Sequence, residues 1–237
     1  MANAGLGKRA RGNRLLNGLS KGALARLLPD LQLRTMEVKS TVARRHEPIE
    51  EIYFPLTCAL SMVASTDSGQ TVEAALIGNE GTSGVAPFLG VCASPLEIFT
   101  QIPGEALSIR TPDFRAHLEH QPQLGTLIGR YTQALLAQVA QTSACNRMHP
   151  AQARCARWLL MAHERAGSDV FRLTQEFLSQ MLGMRRATVS GVAAALQAEH
   201  IIRYVRGTLT VLDRERLAER SCCCYEIVRQ EYARSLP

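Results

Sequence analysis

The stretch LGMRRATVSGVAAALQ, residues 182–197, places a glycine before two arginines, a threonine and a serine, then runs into small apolar residues. Glycine tolerates the left-handed backbone that ends helices, so Gly183 can close one helix and let another begin. Val189, Val192, Ala193 and Leu196 recur at helical spacing and define an inward face. Arg185 and Arg186 then point outward at the helix start, with Thr188 and Ser190 beside them. That arrangement suits an acidic partner.

The neighbouring residues narrow the choice. Upstream, AQARCARWLLMAHERAG reads as an amphipathic helix ended by Gly167, and LTQEFLSQML as a short helix capped by Thr174. Downstream, IIRYVRGTLTVL reads as two strands around an Arg-Gly turn. Helix, glycine turn, helix and hairpin make a winged helix-turn-helix, whose second helix enters the major groove of double-stranded DNA and reads bases with its N-terminal residues. The planar fork of arginine matches guanine O6 and N7. Charge supports this reading. Residues 1–120 hold 12 basic and 12 acidic side chains, whereas residues 121–237 hold 15 basic and nine acidic, so the whole net charge of +6 lies in the second half.

Before this region the texture differs. Between residues 31 and 110, short apolar runs alternate with turn residues, and DSGQ at 67–70 marks a hairpin. This predicts an antiparallel sandwich or barrel. Residues 15–30 read as one short helix ending near Pro29, and TPDFRAHLEH as another. A longer helix starts at Leu124. Leu124, Ile128, Tyr131, Leu135, Gln138 and Thr142 follow at alternating spacings of four and three, the pattern of a self-association seam or, over fewer than three heptads, of an amphipathic helix packed on its own domain. The chain of 237 residues is therefore expected to be α+β, with three parts: residues 1–115, an antiparallel β-roll of jelly-roll or cupin-like form; residues 116–147, a dimerisation helix; and residues 148–237, the winged helix.

The whole assembly resembles the Crp/Fnr-type transcription regulators. The residues that carry the resemblance are LTQEFLSQMLGMRRATVSGVAAALQ, IGNEG and PGEAL, and it spans roughly residues 15–235. It implies a homodimer, promoter DNA and RNA polymerase as partners, and a small-molecule effector whose identity is open. Where the family often reads Arg-Glu-Thr-Val-Gly-Arg, this chain has Arg186, Ala187, Thr188, Val189, Ser190 and Gly191. Arg186 carries over as a base reader and Thr188 as a phosphate contact. Two base-reading groups are replaced by Ala187 and Gly191, so a different target sequence is expected. Thr174 and the wing residue Arg206 complete the expected DNA contacts.

Cyclic-nucleotide members of the family use a glutamate for the ribose and an arginine for the cyclic phosphate. Glu80 can stand for the first, with Gly81, Thr82 and Ser83 as further pocket candidates. The arginine position falls at Ser94-Pro95, and no Lys or Arg occurs between His46 and Ile109. A buried phosphate needs charge or several N–H groups, so a cyclic nucleotide is the alternative effector reading, not the first. An enzyme of cupin type is disfavoured because no His-x-His pair is present, and no Ser-His-Asp, P-loop or paired-carboxylate pattern occurs. No cofactor or metal is expected. His117 and His120 read as a solvated helix face.

Seven cysteines without a secretory signal imply reduced thiols and a cytoplasmic protein. Cys58, Cys92, Cys145 and Cys155 read as isolated small residues. Cys222, Cys223 and Cys224 are placed on the last helix, where i and i+2 face apart. That spacing argues against a chelate, and the three read first as small side chains packed against the winged-helix core, although Arg220 and Arg229 could favour a reactive thiolate.

Overall fold

The computed structural model describes residues 2–67 and 69–237. Helix α1 (Ala2–Ala10) comes before the first expected element, and α2 (Arg14–Asn17) and α3 (Lys21–Leu27), closed by a 3-10 turn at Leu28–Asp30, replace the single helix expected at 15–30. The cause is capping. Asn13 accepts from the amides of Leu15 and Leu16, and Ser20 accepts from Ala23, so the chain restarts a helix at each.

The roll follows, with strands β1 (Gln32–Met36), β2 (Thr41–Ala43), β3 (Glu51–Pro55), β4 (Ala59–Ser65) and β5 (Thr71–Ile77), the short helix α4 (Val85–Phe88), then β6 (Glu97–Ile102) and β7 (Gly104–Arg110). Among the described residues these pair into two antiparallel sheets, ordered β1-β7-β3 and β2-β6-β4-β5. The expected DSGQ hairpin joins β4 to β5, with Ser65 opposite Thr71 and Gly69 at φ +77°, and its Ser68 lies outside the described residues.

Helix α5 (Thr111–His120) leads into α6 (Pro122–Met148). His117 is tied to Asp30 at 2.7 Å and to Gln121 at 2.7 Å, so it fixes α5 to the 3-10 turn and does not stand free in solvent. The third part comprises α7 (Ala151–Ala166), β8 (Val170–Arg172), α8 (Gln175–Leu182), α9 (Arg186–Ala198), β9 (Ile202–Val205), β10 (Thr208–Val211), α10 (Arg214–Glu219) and α11 (Cys224–Ser235). The wing is three-stranded, ordered β8-β10-β9, because the three-residue β8 adds to the expected hairpin. The single closing helix expected after residue 212 is two helices, broken at Ser221–Cys223.

Two apolar cores meet at one sheet. On β4, Leu60 belongs to the core inside the roll, whereas Ala59 and Val63 belong to the core of the winged helix, together with Leu76 and Ile102. The sheet β2-β6-β4-β5 is thus covered on both faces. Its outer face lies under Trp158, Leu159 and Met161 of α7, and Phe99 meets Phe177 edge-on.

Polar groups are buried in the same contact. Trp158 Nε1 donates to Glu73 Oε1 at 2.8 Å, and the Ser61 hydroxyl donates to Glu73 Oε2 at 2.6 Å. Arg165 of α7 reaches the turn after β5, where its Nη2 lies 2.6 Å and its Nε 3.0 Å from Glu80 Oε1. Arg165 and Glu80 side chains are only 8% and 9% exposed, so this is a buried ion pair. Burial works against the Arg165 charge, and the Glu80 carboxylate more than restores it.

Breaking a buried pair from one side leaves a stranded charge and costs about 3–5 kcal/mol, whereas removing both partners costs much less. Glu80→Gln or Arg165→Met should therefore each lower the urea midpoint strongly, and the double variant should recover most of the loss. Additive losses would show that the pair is not coupled. Glu73 supplies a pH test. Burial pushes its carboxyl above the usual 4.5, against the hydrogen bonds from Ser61 and Trp158 and the charges of Arg165 and Arg157. A raised native value means the folded chain holds the proton more tightly. Its contribution is then most favourable in acid and declines as pH rises from about 4.5 toward the native value. Glu73→Gln should gain stability relative to wild type as pH rises over that window, read from urea midpoints.

Candidate nucleic-acid interface and effector cleft

The exposed face of α9 is built locally. Gly183 adopts φ +58°, ends α8 in the left-handed conformation and turns the chain. Thr174 caps α8 by accepting from Phe177 N at 3.1 Å, so its hydroxyl oxygen has a structural task. Val189, Ala193 and Leu196 are buried and Val192 half-buried, as the periodicity predicts. Arg185 is the N-cap residue of α9 and Arg186 its first residue; both are exposed, as are Ala187, Thr188 and Gly191. Arg186 Nη1 lies 3.6 Å from Glu176 Oε2 of α8, with both side chains mostly in solvent. Such a pair is worth about 0–1 kcal/mol and can yield to a better acceptor.

Ser190 is placed differently from the expectation. It is half-buried and donates to Gln175 Oε1 at 2.6 Å. It ties α9 to α8 and does not present its hydroxyl outward, because its position is closer to the packed side of the helix than its number suggests.

The wing turn has Arg206 at φ +48° and Gly207 at φ +76°, the two positive values that a two-residue hairpin of type I′ needs. Arg206 is exposed and borders a depression with Thr174, Arg172 of β8 and Lys39 of the roll. Neither Arg172 nor Lys39 was singled out by the sequence. Val-Phe-Arg at 170–172 shows no alternation of apolar and polar residues that would have marked the first, and the second arrives from another part of the chain.

The expected seam on α6 faces the other way. Leu124, Ile128 and Tyr131 are 0% and Leu135 5% exposed within the single chain. They pack into the roll and against Val228, Tyr232 and Leu236 at the C-terminus. Gln138 is also buried and donates to Leu76 O at 3.1 Å. A helix lying on a domain needs an apolar face of its own, and that face met the heptad spacing by chance. The opposite face is open: Thr126, Gln133, Leu136, Ala140, Ser143 and Arg147 are exposed, with Gly129 half-buried among them. Leu136 is 61% exposed.

The expected effector residues divide in two. Glu80 is taken by Arg165. Gly81 is pressed against Tyr131, and a Cβ there would come within 2.4 Å of the ring. Thr82 and Ser83 instead border an apolar cleft of about 390 Å³ between the roll and α6, walled by Met62, Ile77, Leu89, Ile98, Leu135 and Val139. No charged side chain lines it among the described residues. Its hydroxyls are already engaged: Thr82 donates to Tyr53 O, Ser83 accepts from Tyr53 N, Ser94 accepts from Leu96 N, and Thr132 donates to Ile128 O. Ser94 stands at the lining position where the family resemblance calls for a cation.

Residues 153–220 match the Crp-like helix-turn-helix domain family. In fold, the chain is similar to FixK2 from Bradyrhizobium japonicum, at 16% identity over 81% of this chain and 98% of that one, with a TM-score of 0.68. It is also similar to CLP of Xanthomonas campestris, a c-di-GMP-responsive global regulator, at 16% identity over 81% and 99% of the two chains and a TM-score of 0.65. A CRP-family transcriptional regulator from Thermus thermophilus is similar at 17% identity over 79% and 97%, with a TM-score of 0.64. No curated protein sequence matches the chain significantly. The chain is thus of Crp/Fnr type in fold, and residues 153–220 form a Crp-like helix-turn-helix domain. No helix among the described residues is long and apolar enough to cross a membrane.

Proposed function

We propose that the chain is a homodimeric, sequence-specific DNA-binding transcription regulator whose effector is an apolar molecule and not a cyclic nucleotide. The observation that carries the DNA reading is the open N-terminal end of α9, with Arg185, Arg186 and Thr188 exposed above a fully packed inner face. Residues 1–115 act as the sensor, α6 as the dimer helix, and residues 148–237 as the reader. RNA polymerase is the downstream partner, in the cytoplasm, as the Crp/Fnr type implies. The effector reading rests on the cleft: a buried cyclic phosphate calls for a cation, and no charged side chain lines the cleft among the described residues. The c-di-GMP response of CLP belongs to that protein.

In this reading Arg186 meets a guanine edge, Thr188 a phosphate, and Arg206, with Arg172 and Lys39 close by, the flanking backbone. The three kinds of contact fail differently. Arg186→Ala should cost about 1–3 kcal/mol per half-site and relax preference at one base pair. Thr188→Ala should weaken all sequences alike and leave the salt slope nearly unchanged, because a neutral hydroxyl releases no counterion. Arg206→Ala should reduce the salt slope by about one unit per contact. Binding to single-base operator variants at two salt concentrations checks all three. Equal loss on every variant for Arg186→Ala would make Arg186 a backbone clamp.

Dimer formation uses the open face of α6. Leu136→Asp should give a folded monomer by light scattering, with steeply weakened binding to a two-fold operator, since each protomer reads one half-site. Ile128→Asp should instead lower the melting temperature sharply, because it buries an unpaired charge. The opposite pattern would return the seam to Ile128.

A further inference from the structure

The break in the C-terminal segment creates a cluster that neither DNA binding nor the apolar cleft uses. Cys145 lies in the last turn of α6, and His149 caps that helix four residues on, with its backbone N–H donating to Cys145 O at 3.1 Å. Cys222 sits in the non-helical stretch before α11, and Cys224 is the first residue of α11. Because Cys222 is outside the helix, the i, i+2 spacing does not force the two sulfurs apart. Both turn toward the end of α6. The Sγ atoms of Cys145 and Cys222 are 3.4 Å apart, and Cys224 Sγ lies 3.5 Å from His149 Nδ1. All four donor atoms fall within 4.8 Å of one another.

We propose that Cys145, His149, Cys222 and Cys224 form a site for a zinc-class divalent cation that clamps the joint between α6 and α7. The spacing fits the ion. Bonds of about 2.3 Å to sulfur and about 2.0–2.1 Å to nitrogen give a tetrahedron with S···S edges of about 3.8 Å and S···N edges of about 3.6 Å. The observed 3.4 and 3.5 Å need only small side-chain adjustments to meet them. Thiolates and imidazole in a closed four-donor set are the ligands of structural zinc. On binding, the three thiols release their protons to solvent and the imidazole stays neutral. Zinc with three thiolates carries a net charge of −1. Arg154 and Arg157 of α7 both act electrostatically on Cys145, which suits a net anion. Gln141 donates from Nε2 to Cys224 Sγ at 3.0 Å and orients it from outside the donor set.

The position gives the site its effect. His149 and Pro150 are the two residues between α6 and α7, so the ion would fasten the start of α11 to the point where the winged helix leaves the long helix. Cys223 is exposed, its Sγ 3.9 Å from the other ring nitrogen of His149, and stands outside the set. The assignment does not depend on the DNA-binding reading.

The test is zinc titration of the full chain, reduced and stripped of metal, in competition with a chromophoric chelator, followed by cobalt(II) substitution. One zinc per chain is expected, with the visible bands of tetrahedral thiolate cobalt. Gln141→Leu should weaken affinity about 10–100-fold, and Cys222→Ser or His149→Ala by more than that. Cys223→Ser and Cys92→Ser should bind as wild type does. Zinc should raise the melting temperature of wild type but not of Cys222→Ser, with circular dichroism showing that each variant is folded. A folded wild type that takes up no zinc overturns the assignment. So does zinc binding that survives Cys222→Ser, or a Cys145–Cys222 disulfide formed in place of metal uptake.

Discussion

A guanidinium cannot be taken from water into a protein interior without a partner, and Arg165 is such a group. It leaves α7, enters the turn after β5 and meets Glu80 with neither side chain more than 9% exposed. Much of the remaining architecture is arranged around that pairing. It fixes the rotation of α7 on the outer face of the β2-β6-β4-β5 sheet, where Trp158 and Glu73 also meet. It holds the turn that presses Gly81 onto Tyr131, and so sets the depth at which α6 lies on the roll. The glutamate that the Crp/Fnr resemblance offers to a ligand is occupied from within the same chain.

The cleft is a consequence of that occupation. With Glu80 withdrawn and Gly81 covered, what remains open between the roll and α6 is bounded by aliphatic side chains and by hydroxyls already bonded to the backbone. The lack of Lys and Arg from residue 47 to 108 is therefore not compensated inside the roll. Arg165, which reaches the turn after β5 from α7, is held by Glu80.

What the sequence disclosed depended on how local each feature was. Gly183, the Thr174 cap and the inward face of α9 are set by contacts a few residues apart, and each was legible. The roll was legible as texture, from alternating runs and the DSGQ turn, but its strand order was not, since pairing joins residues up to 76 positions apart, as Gln32 with Ser108. The residues of the expected seam on α6 lie buried within their own chain. Both sides of α6 carry spacings of three and four, and the apolar one went to the intrachain core, leaving Thr126, Gly129, Ala140 and Ser143 with almost no hydrophobic signal. The bond of Ser190 to Gln175 was not legible, because helix propensity does not say which polar neighbour will claim a hydroxyl. The cysteine cluster was hidden by a helix assumed to run through Ser221–Cys223, and Cys145 by its distance of 77 residues from Cys222.

The two-sided burial of the β2-β6-β4-β5 sheet has a consequence for how the molecule can be divided or can move. The roll looks like a separable module, yet its outer face carries Ala59, Val63, Leu76 and Ile102, which are water-excluded only while α7 lies on them. Lifting the winged helix away would expose that apolar surface and uncover β5, the last strand of its sheet, with its unpaired backbone groups. A roll excised at the end of α6 would be prone to aggregate by edge-to-edge pairing. For the same reason, any rearrangement of the winged helix during its working cycle is confined to sliding or rotation over the sheet, with the apolar contact kept closed throughout.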